Sequence, residues 1–303
     1  MQTEKLNNYK VVAKKLKSSQ TTNWKGSDLF DYIFASIYII AKRKSGKTQL
    51  IYNILEECTD PSVHVVIFSG TAHKDDTYIE MIKWLKSQGN QVSVYDSIFE
   101  GKNDLLKDFI DGNLKFGGSV EKKKKNKNKK DLAKEDKKLD MSKFEKYNID
   151  LGAMMFGGRY KQLKYNEKPE IKKEIVIKKQ TTKNNKTPKY IFIFDDLSSE
   201  LKSPSISAFV KQARHEKALC IFSSQYVNDL QPQTIKNMEV IILFGGHSID
   251  KLEEVHKHTD LSISLNDFIE AYEYATEEKY NFLYIDVVNE TLRKNFDEKI
   301  IIE

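Results

Sequence analysis

The sequence predicts an α/β fold, in which a mostly parallel sheet is covered by helices on both faces. Short, nearly continuous apolar runs recur along the chain, for example at residues 33–40 and 190–194, and such runs are typical of strands buried on both faces. Segments with apolar residues at helical spacing lie between these runs. Because strands that alternate with helices favour parallel pairing, the pattern indicates a doubly covered sheet.

Each element is predicted from its local pattern. The strands are predicted at residues 33–40, 63–68, 91–95, 190–194, 218–222, 240–244 and 281–286. The helices are predicted after residue 48 and at residues 78–86, 105–110, 207–212 (continuing toward His215), 250–256 and 266–275. In the second of these helices, the spacing of Ile79, Ile82 and Leu85 predicts the buried face.

Composition limits the classes of protein to be considered. The chain has 303 residues, of which 39% are hydrophobic, enough for one large α/β domain or two small ones. Cys58 and Cys220 fall in a predicted helix and a predicted strand, which indicates reduced core residues rather than a disulfide or a metal pair. The first residues lack the apolar stretch of a signal peptide, and no apolar run approaches the ~20 residues of a spanning helix. We therefore expect a soluble protein in a reducing compartment, without a transmembrane segment.

Positive charge is concentrated in one segment. The net charge is +6, yet residues 121–189 contain 23 Lys or Arg against 10 Asp or Glu, whereas the remaining residues contain 27 against 34. Seven lysines lie between Lys122 and Lys130 with no apolar residue among them, so this stretch must be solvated. We expect a domain at 28–297 that is interrupted by a Lys-rich, partly disordered insertion at 117–189, with a polar arm at 1–27 and a tail at 298–303.

The sequence AKRKSGKT follows the first strand and opens the first helix, which is the context of a P-loop. Alanine stands where the pattern G-x-x-x-x-G-K-[ST] has its first glycine, and it is tolerated if its φ is negative. The N–H groups of such a loop form an anion nest, and the helix dipole adds positive potential. In this role Lys47 reaches the β- and γ-phosphates of ATP and the Thr48 hydroxyl holds Mg²⁺. The alternative is a chance basic turn. The residues predicted to bind nucleotide are Ala41, Lys42, Arg43, Lys44, Ser45, Gly46, Lys47 and Thr48.

A pair of carboxylates ends the apolar run at residues 190–194. Asp195 occupies the position of a Walker B aspartate, which binds Mg²⁺ near the P-loop. Asp196 follows it directly and is the candidate base that polarises the attacking water. The alternatives are that Asp196 caps the next helix and that Glu200 is the acid instead.

Two further residues are candidates for the chemistry. In P-loop NTPases of the ASCE type, an extra strand lies between the P-loop and Walker B strands, and a polar residue at its end contacts the γ-phosphate; Gln225 has this position, although a simple turn would explain it too. Arg214 lies just before the same strand and is a candidate arginine finger that acts on a neighbouring subunit. It could instead be a helix-ending arginine that only favours the dipole.

These segments carry a resemblance to a known family. The sequences AKRKSGKT, IFIFDDL, QARHEKALCIFSSQ and DFIEAYEYATEEKYNFLYIDVVNETLRKNF resemble the DNA-packaging ATPases of poxviruses, other large DNA viruses and virophages, which belong to the FtsK–HerA superfamily of P-loop translocases. The resemblance covers roughly residues 30–100 and 188–297. Ala213 departs from the glycine that the family has before Arg-His, and the basic insertion lies outside the resemblance.

The resemblance implies an ATP-driven translocase that packages double-stranded DNA into a viral capsid. It implies a homo-oligomeric ring, a pentamer or hexamer, with ATP and Mg²⁺ at the subunit interfaces, DNA in the channel and a capsid portal or vertex component as partner. The expected location is the host-cell cytoplasm, in viral factories, or the virion. The alternatives are a cellular or plasmid FtsK–HerA translocase and a P-loop small-molecule kinase. The kinase needs an arginine-bearing lid and an acceptor pocket, and the sequence shows neither signature.

Overall fold

The computed structural model describes residues 24–112, 187–197 and 199–302. The strands of this part of the chain are β1 (Ser36–Ile40), β2 (His64–Phe68), β3 (Gln91–Tyr95), β4 (Phe99–Glu100), β5 (Asn103–Asp104), β6 (Tyr190–Asp195), β7 (Ala218–Ser224), β8 (Val240–Phe244), β9 (Phe282–Asp286), β10 (Thr291–Lys294) and β11 (Glu298–Ile300). Its α-helices are α1 (Lys47–Cys58), α2 (Asp76–Ser87), α3 (Leu105–Ile110), α4 (Pro204–Ala213), α5 (Pro232–Ile235), α6 (Ile249–Thr259) and α7 (Leu265–Ala275).

Nine of these strands form one sheet in the order β11-β10-β9-β8-β1-β7-β6-β2-β3. The strands from β8 to β3 in this order pair in parallel. The last three strands in the chain add an antiparallel edge beyond β8. Strand β7 lies between β1 and β6, so the extra strand predicted between the loop strand and the Asp-Asp strand is present.

The sheet is buried on both faces because its strands are apolar at successive positions. Ile37 and Ile39 of β1 pack in a core with α1 and α2, whereas Tyr38 and Ile40 pack in a second core with α3, α4, α6 and α7. This alternation follows from the two-residue period of a strand. The predicted fold class, with a mostly parallel sheet and helices on both faces, is confirmed.

The buried face of α2 differs from the prediction. The structure buries Tyr78, Met81 and Leu85, while Ile79 and Ile82 are only partly buried. Both faces have helical spacing, so the periodicity of this short helix did not decide between them. The face that carries Tyr78 is the one that reaches the end of β6.

The C-terminal region contains more sheet than predicted. Residues 281–286 were expected to hold the last strand and residues 298–303 to form a tail, but β10 and β11 extend the sheet through residue 300. Arg293 of β10 is held within this added edge. Its guanidinium lies 2.8 Å from Asp31 and above the ring of Tyr284, and only 19% of the side chain is exposed.

The described ends of the predicted arm and insertion join the same compact unit. Trp24 is buried in the core beside α1, and Gly26 has a φ of +95° at a point where a side chain would collide with Cys58. At the end of the predicted insertion, the N–H of Lys189 donates to Lys217 O, and Lys189 O accepts from the N–H of His64. These two bonds anchor the chain where it enters β6. The rest of the arm and of the insertion lies outside the described residues.

Cys58 and Cys220 are both buried and free, as predicted. In the described ranges, no helix combines the length and the apolar character that crossing a bilayer would require.

Candidate nucleotide site

The candidate site lies where three parallel strands end side by side. Ile40 at the end of β1 is paired with Ser224 of β7, and Ser223 of β7 is paired with Asp195 of β6. Because the carboxyl ends of parallel strands share one edge, residues that are far apart in sequence meet here. Ligands of open α/β sheets bind at this edge.

The loop at residues 41–46 leaves this edge and turns directly into α1. The N–H of Ala41 still donates to Ser224 O at 3.0 Å, and Ala41 is not among the described residues with a positive φ, which meets the condition set for alanine here. Lys44 has a φ of 63° and Gly46 a φ of 97°. Ser45 Oγ donates to Lys42 O at 2.7 Å and closes the turn.

Lys47 contacts the two carboxylates at the end of β6, Asp195 within the strand and Asp196 directly after it. Its Nζ is 3.2 Å from Asp195 Oδ1 and 2.5 Å from Asp196 Oδ1. Asp195 is almost fully buried, whereas about a third of the Asp196 side chain is exposed. Burial raises the pKa of Asp195 above its usual value, and the charge of Lys47 opposes this shift. Asp196 has a φ of 53°, a backbone conformation that Asp and Asn tolerate better than most residues.

Tyr78 is a residue of this site that the sequence analysis missed. It is fully buried on α2, and its hydroxyl donates to Asp195 Oδ2 at 2.9 Å. Burial raises the pKa of Tyr78 well above its usual value, so the hydroxyl stays protonated as a donor. The only sequence signal was a tyrosine at helical spacing from Met81 and Leu85, and that spacing does not indicate which strand end the hydroxyl reaches.

The donor set at the end of β6 fits Mg²⁺. Asp195 Oδ1 is buried and, apart from the 3.2 Å ion contact with Lys47 Nζ, has no hydrogen bond within the described residues, so this oxygen is suited to an ion. Thr48 lies in the first turn of α1. Carboxylate and hydroxyl oxygens are ligands that Mg²⁺ prefers, and the ion takes few of them from protein because substrate phosphates and waters supply the others. The described residues contain no cluster of three or more His, Cys, Asp or Glu that could hold a metal.

Gln225 comes directly after β7 and is half-buried. Its neighbour Ser224 accepts from the loop at Ala41 and shares a 2.7 Å hydrogen bond with the Tyr38 hydroxyl. These contacts fix the end of β7 beside the loop. Gln225 is therefore at the same edge as Lys47 and Asp195.

Arg214 lies at the opposite edge of the sheet. Its guanidinium contacts Glu239 at 2.7 Å, and the other oxygen of Glu239 accepts from the N–H of Ser36, the first residue of β1. A strand rises about 3.3 Å per residue, so the five residues of β1 separate this edge from the loop by roughly 15 Å. The structure thus does not bring Arg214 to the site of its own chain, and 67% of its side chain is exposed.

Glu200 is held away from the site. Its carboxylate accepts from Ser97 Oγ at 3.0 Å and from the N–H of Ile98 at 2.8 Å. Both of these groups lie just after β3. Of the two candidate acids, Asp196 is the one in contact with Lys47.

His247 follows the glycine pair at the end of β8. Its ring is buried, and this burial lowers its pKa to about 4. The ring is therefore neutral at physiological pH. The backbone N–H of His247 donates to the Tyr272 hydroxyl at 2.9 Å, which ties this turn to α7.

Comparison with protein-family models gives no match, and comparison with curated proteins gives none either. Solved structures that are similar to this chain include the genome packaging NTPase B204 from Sulfolobus turreted icosahedral virus 2 in complex with AMP. The similarity to it has a TM-score of 0.47 at 16% identity and covers 90% of this chain and 100% of that chain. For the same NTPase in complex with ATP-gammaS, the TM-score is 0.45 at 17% identity, over 86% and 96% of the two chains.

The DNA-packaging ATPase B204 from Sulfolobus Turreted Icosahedral Virus gives a TM-score of 0.45 at 17% identity, over 86% of this chain and 95% of that chain.

Proposed function

We propose that this protein is an ATPase that drives double-stranded DNA into a viral capsid. The observation that supports ATPase activity is the contact of Lys47 with Asp195 and Asp196. These two residues lie 148 and 149 positions after Lys47 in the sequence. A lysine that opens a helix after a P-loop, beside a buried carboxylate at a neighbouring strand end, is the arrangement used to bind nucleotide phosphates with a metal ion.

Each residue then has a defined task. The N–H groups of residues 41–46 surround the phosphates, and Lys47 neutralises the β- and γ-phosphates. Thr48 and Asp195 hold Mg²⁺, which when bound neutralises charge on the phosphate oxygens. Because Lys47 is paired with Asp196 in this structure, the arrival of phosphates draws Lys47 toward them and leaves the Asp196 carboxylate to accept a proton from the attacking water. Gln225 orients that water.

The sequence motifs support the DNA part of the proposal. Their resemblance to viral DNA-packaging ATPases suggests a homo-oligomeric ring of five or six subunits with duplex DNA in its channel. The location of Arg214 at the far edge of the sheet, largely exposed, suits a residue that reaches the site of a neighbouring subunit. The ring would work in the host-cell cytoplasm or on the virion, where a portal or vertex component of the capsid would receive it.

ATP hydrolysis by the purified protein tests this proposal, and we expect it to rise with duplex DNA but not with nucleosides. Lys47→Ala should lose nucleotide binding, because a phosphate-neutralising charge is removed. Asp195→Ala should retain much of the binding and lose Mg²⁺-dependent hydrolysis. Normal ATPase activity in either variant would contradict the assignment of the site, and stimulation by nucleosides would favour a kinase.

A further inference from the structure

A cleft of about 450 Å³ opens beside the loop, on the side of β8 and β9. This volume is within the usual range of small-molecule sites, roughly 300–1,000 Å³. The cleft begins at Gly46, so it adjoins the proposed phosphate site. The residues that line it and matter here are Gly46, Gln49, Asn53, Phe244, Tyr280 and Phe282.

The floor of the cleft is aromatic and fixed. Phe244 ends β8 and is paired with Phe282, which begins β9, and their ring centroids are 5.4 Å apart. Both side chains are buried. The floor thus offers a rigid apolar surface at the edge of the sheet where the loop begins.

Tyr280 forms a wall of the cleft under backbone strain. It has a φ of +75°, which is unusual for an aromatic residue, and 57% of its surface is exposed. A Cβ on Gly46 would lie only 3.2 Å from Cδ1 of this ring, so the ring lies directly over the glycine. Strained residues concentrate at ligand sites. The ring is not core packing, and Lys279 Nζ lies 4.6 Å from its centroid. A base that stacks on the exposed face would displace this ammonium.

The opposite wall carries two amides. Gln49 and Asn53 are one turn apart on α1, and Gln49 Nε2 donates to Asn53 Oδ1 at 3.0 Å. Gln49 Oε1 and Asn53 Nδ2 take no part in this bond, so one amide acceptor and one amide donor remain for a ligand. The Watson–Crick edge of a purine presents one donor and one acceptor side by side, so the pair can bind it.

We propose that this cleft is a subsite for the purine base of the nucleotide, with Tyr280 stacking on the ring system and Gln49 and Asn53 contacting its edge. The inference rests on the proposed phosphate site, since a nucleotide bound there would extend past Gly46 into the cleft. A purine is favoured over a pyrimidine because its two fused rings present more surface to Tyr280.

Competition binding tests the subsite. The affinities of Mg²⁺–ATP, Mg²⁺–GTP, Mg²⁺–CTP and Mg²⁺–tripolyphosphate would be measured on the full chain by displacement of a fluorescent nucleotide. We expect the two purine nucleotides to bind more tightly than CTP and tripolyphosphate. Tyr280→Gly should weaken ATP binding by about 5- to 150-fold, the range for loss of one base–aromatic stack, and leave tripolyphosphate binding unchanged.

The substitution to glycine also separates binding from folding. Glycine adopts a positive φ without strain, so Tyr280→Gly should melt no lower than the wild type. Tyr280→Phe keeps the ring and should bind ATP normally. Tyr274→Ala is the matched control, since Tyr274 is likewise exposed, has a lysine Nζ 4.8 Å from its ring centroid, and lies outside the cleft. Asn53→Ala should weaken ATP binding by about 2- to 12-fold, the effect of one hydrogen bond.

The possible failures are distinguishable. If the wild type binds tripolyphosphate as tightly as ATP, or if Tyr280→Gly binds ATP within twofold of the wild type, the base subsite is wrong and the phosphate site stands. If the wild type binds neither ATP nor tripolyphosphate, the proposed function fails, and the subsite fails with it.

Discussion

A single hydroxyl links α2 to the candidate metal ligand. Tyr78 Oη donates to Asp195 Oδ2, while Asp195 Oδ1 lies near Lys47. Partners that orient a metal-binding side chain typically change metal affinity by about 10- to 100-fold when they are removed. We therefore expect Tyr78→Phe to raise the Mg²⁺ concentration needed for half-maximal ATPase activity by about tenfold or more. The Mg²⁺ titration should show this shift, with a much smaller loss of kcat at saturating Mg²⁺.

The matched control for this change is Tyr284→Phe. Tyr284 is also a buried tyrosine, and its hydroxyl has no hydrogen-bond partner among the residues that the structure describes. Its removal should leave the Mg²⁺ titration unchanged. If Tyr78→Phe alters thermal stability but not the Mg²⁺ dependence, Tyr78 is a packing residue and does not position Asp195.

Asp196, the acid in contact with Lys47, can be tested by removing its charge. Asp196→Asn keeps a side chain that tolerates the positive φ, but it removes the charge that would polarise water. We expect ATP to remain bound, with kcat lower by about 10²-fold or more. Glu200→Gln is the control because Glu200 is bonded to Ser97 and Ile98, so its kcat should stay near the wild-type value. A large loss in Glu200→Gln with a normal Asp196→Asn would reverse the assignment.

At the scale of elements, the two edges of the parallel sheet hold two different groups of candidate residues. The carboxyl edge holds the loop and the ends of β6 and β7, whereas Arg214 and Glu239 lie at the amino edge. An arginine at that edge does not reach phosphates bound to its own chain. Its side chain is 67% exposed and is therefore accessible from outside this chain, although Glu239, its partner, is only 13% exposed.

We therefore expect Arg214→Ala to bind ATP almost normally and to fail to hydrolyse it. Mixing Arg214→Ala with Asp196→Asn subunits should restore part of the activity, since some interfaces then join an intact arginine to an intact base. The measurement is the ATPase rate as a function of the mixing ratio, with assembly of the ring verified. No recovery at any ratio would indicate that both residues act within one subunit or that Arg214 only ends α4.

At the scale of the whole molecule, charge is divided between two parts of the chain. Residues 121–189 carry the excess of positive charge, and the rest of the chain is mildly acidic. Lysines that neutralise DNA phosphates release counterions, so log affinity falls by about 0.9 per log unit of salt for each phosphate contacted. The alternative is that the segment only keeps an acidic domain in solution.

Replacing the seven lysines between Lys122 and Lys130 with Ser should flatten the salt dependence of DNA binding and weaken it equally for all sequences. ATPase activity without DNA should survive, because Lys47 and Asp195 are unchanged. Binding isotherms at several salt concentrations provide the measurement. An unchanged slope would mean that the DNA phosphates are contacted elsewhere.

The sequence by itself determined the elements and the positions of the main candidate residues. Residues 91–95, 105–110 and 240–244 have the predicted bounds, and the other predicted elements differ by a few residues at their ends, whereas β4, β5, α5, β10 and β11 were not predicted. Strand and helix periods are properties of one segment, so a single sequence contains them. The loop with Lys47 and the strand that ends at Asp195 were recognisable for the same reason, since each motif is local.

Only the tertiary structure decided which side chains meet. The hydroxyl of Tyr78 reaches Asp195 across 117 residues, Glu200 is bonded to the segment after β3, and Tyr280 covers Gly46. It also decided that Arg293 forms an ion pair with Asp31, since Arg293 lies in β10, a strand that the sequence did not predict. Such contacts depend on strand order, register and helix rotation, which are set by the packing of the whole core, and the pattern of any one segment does not contain them.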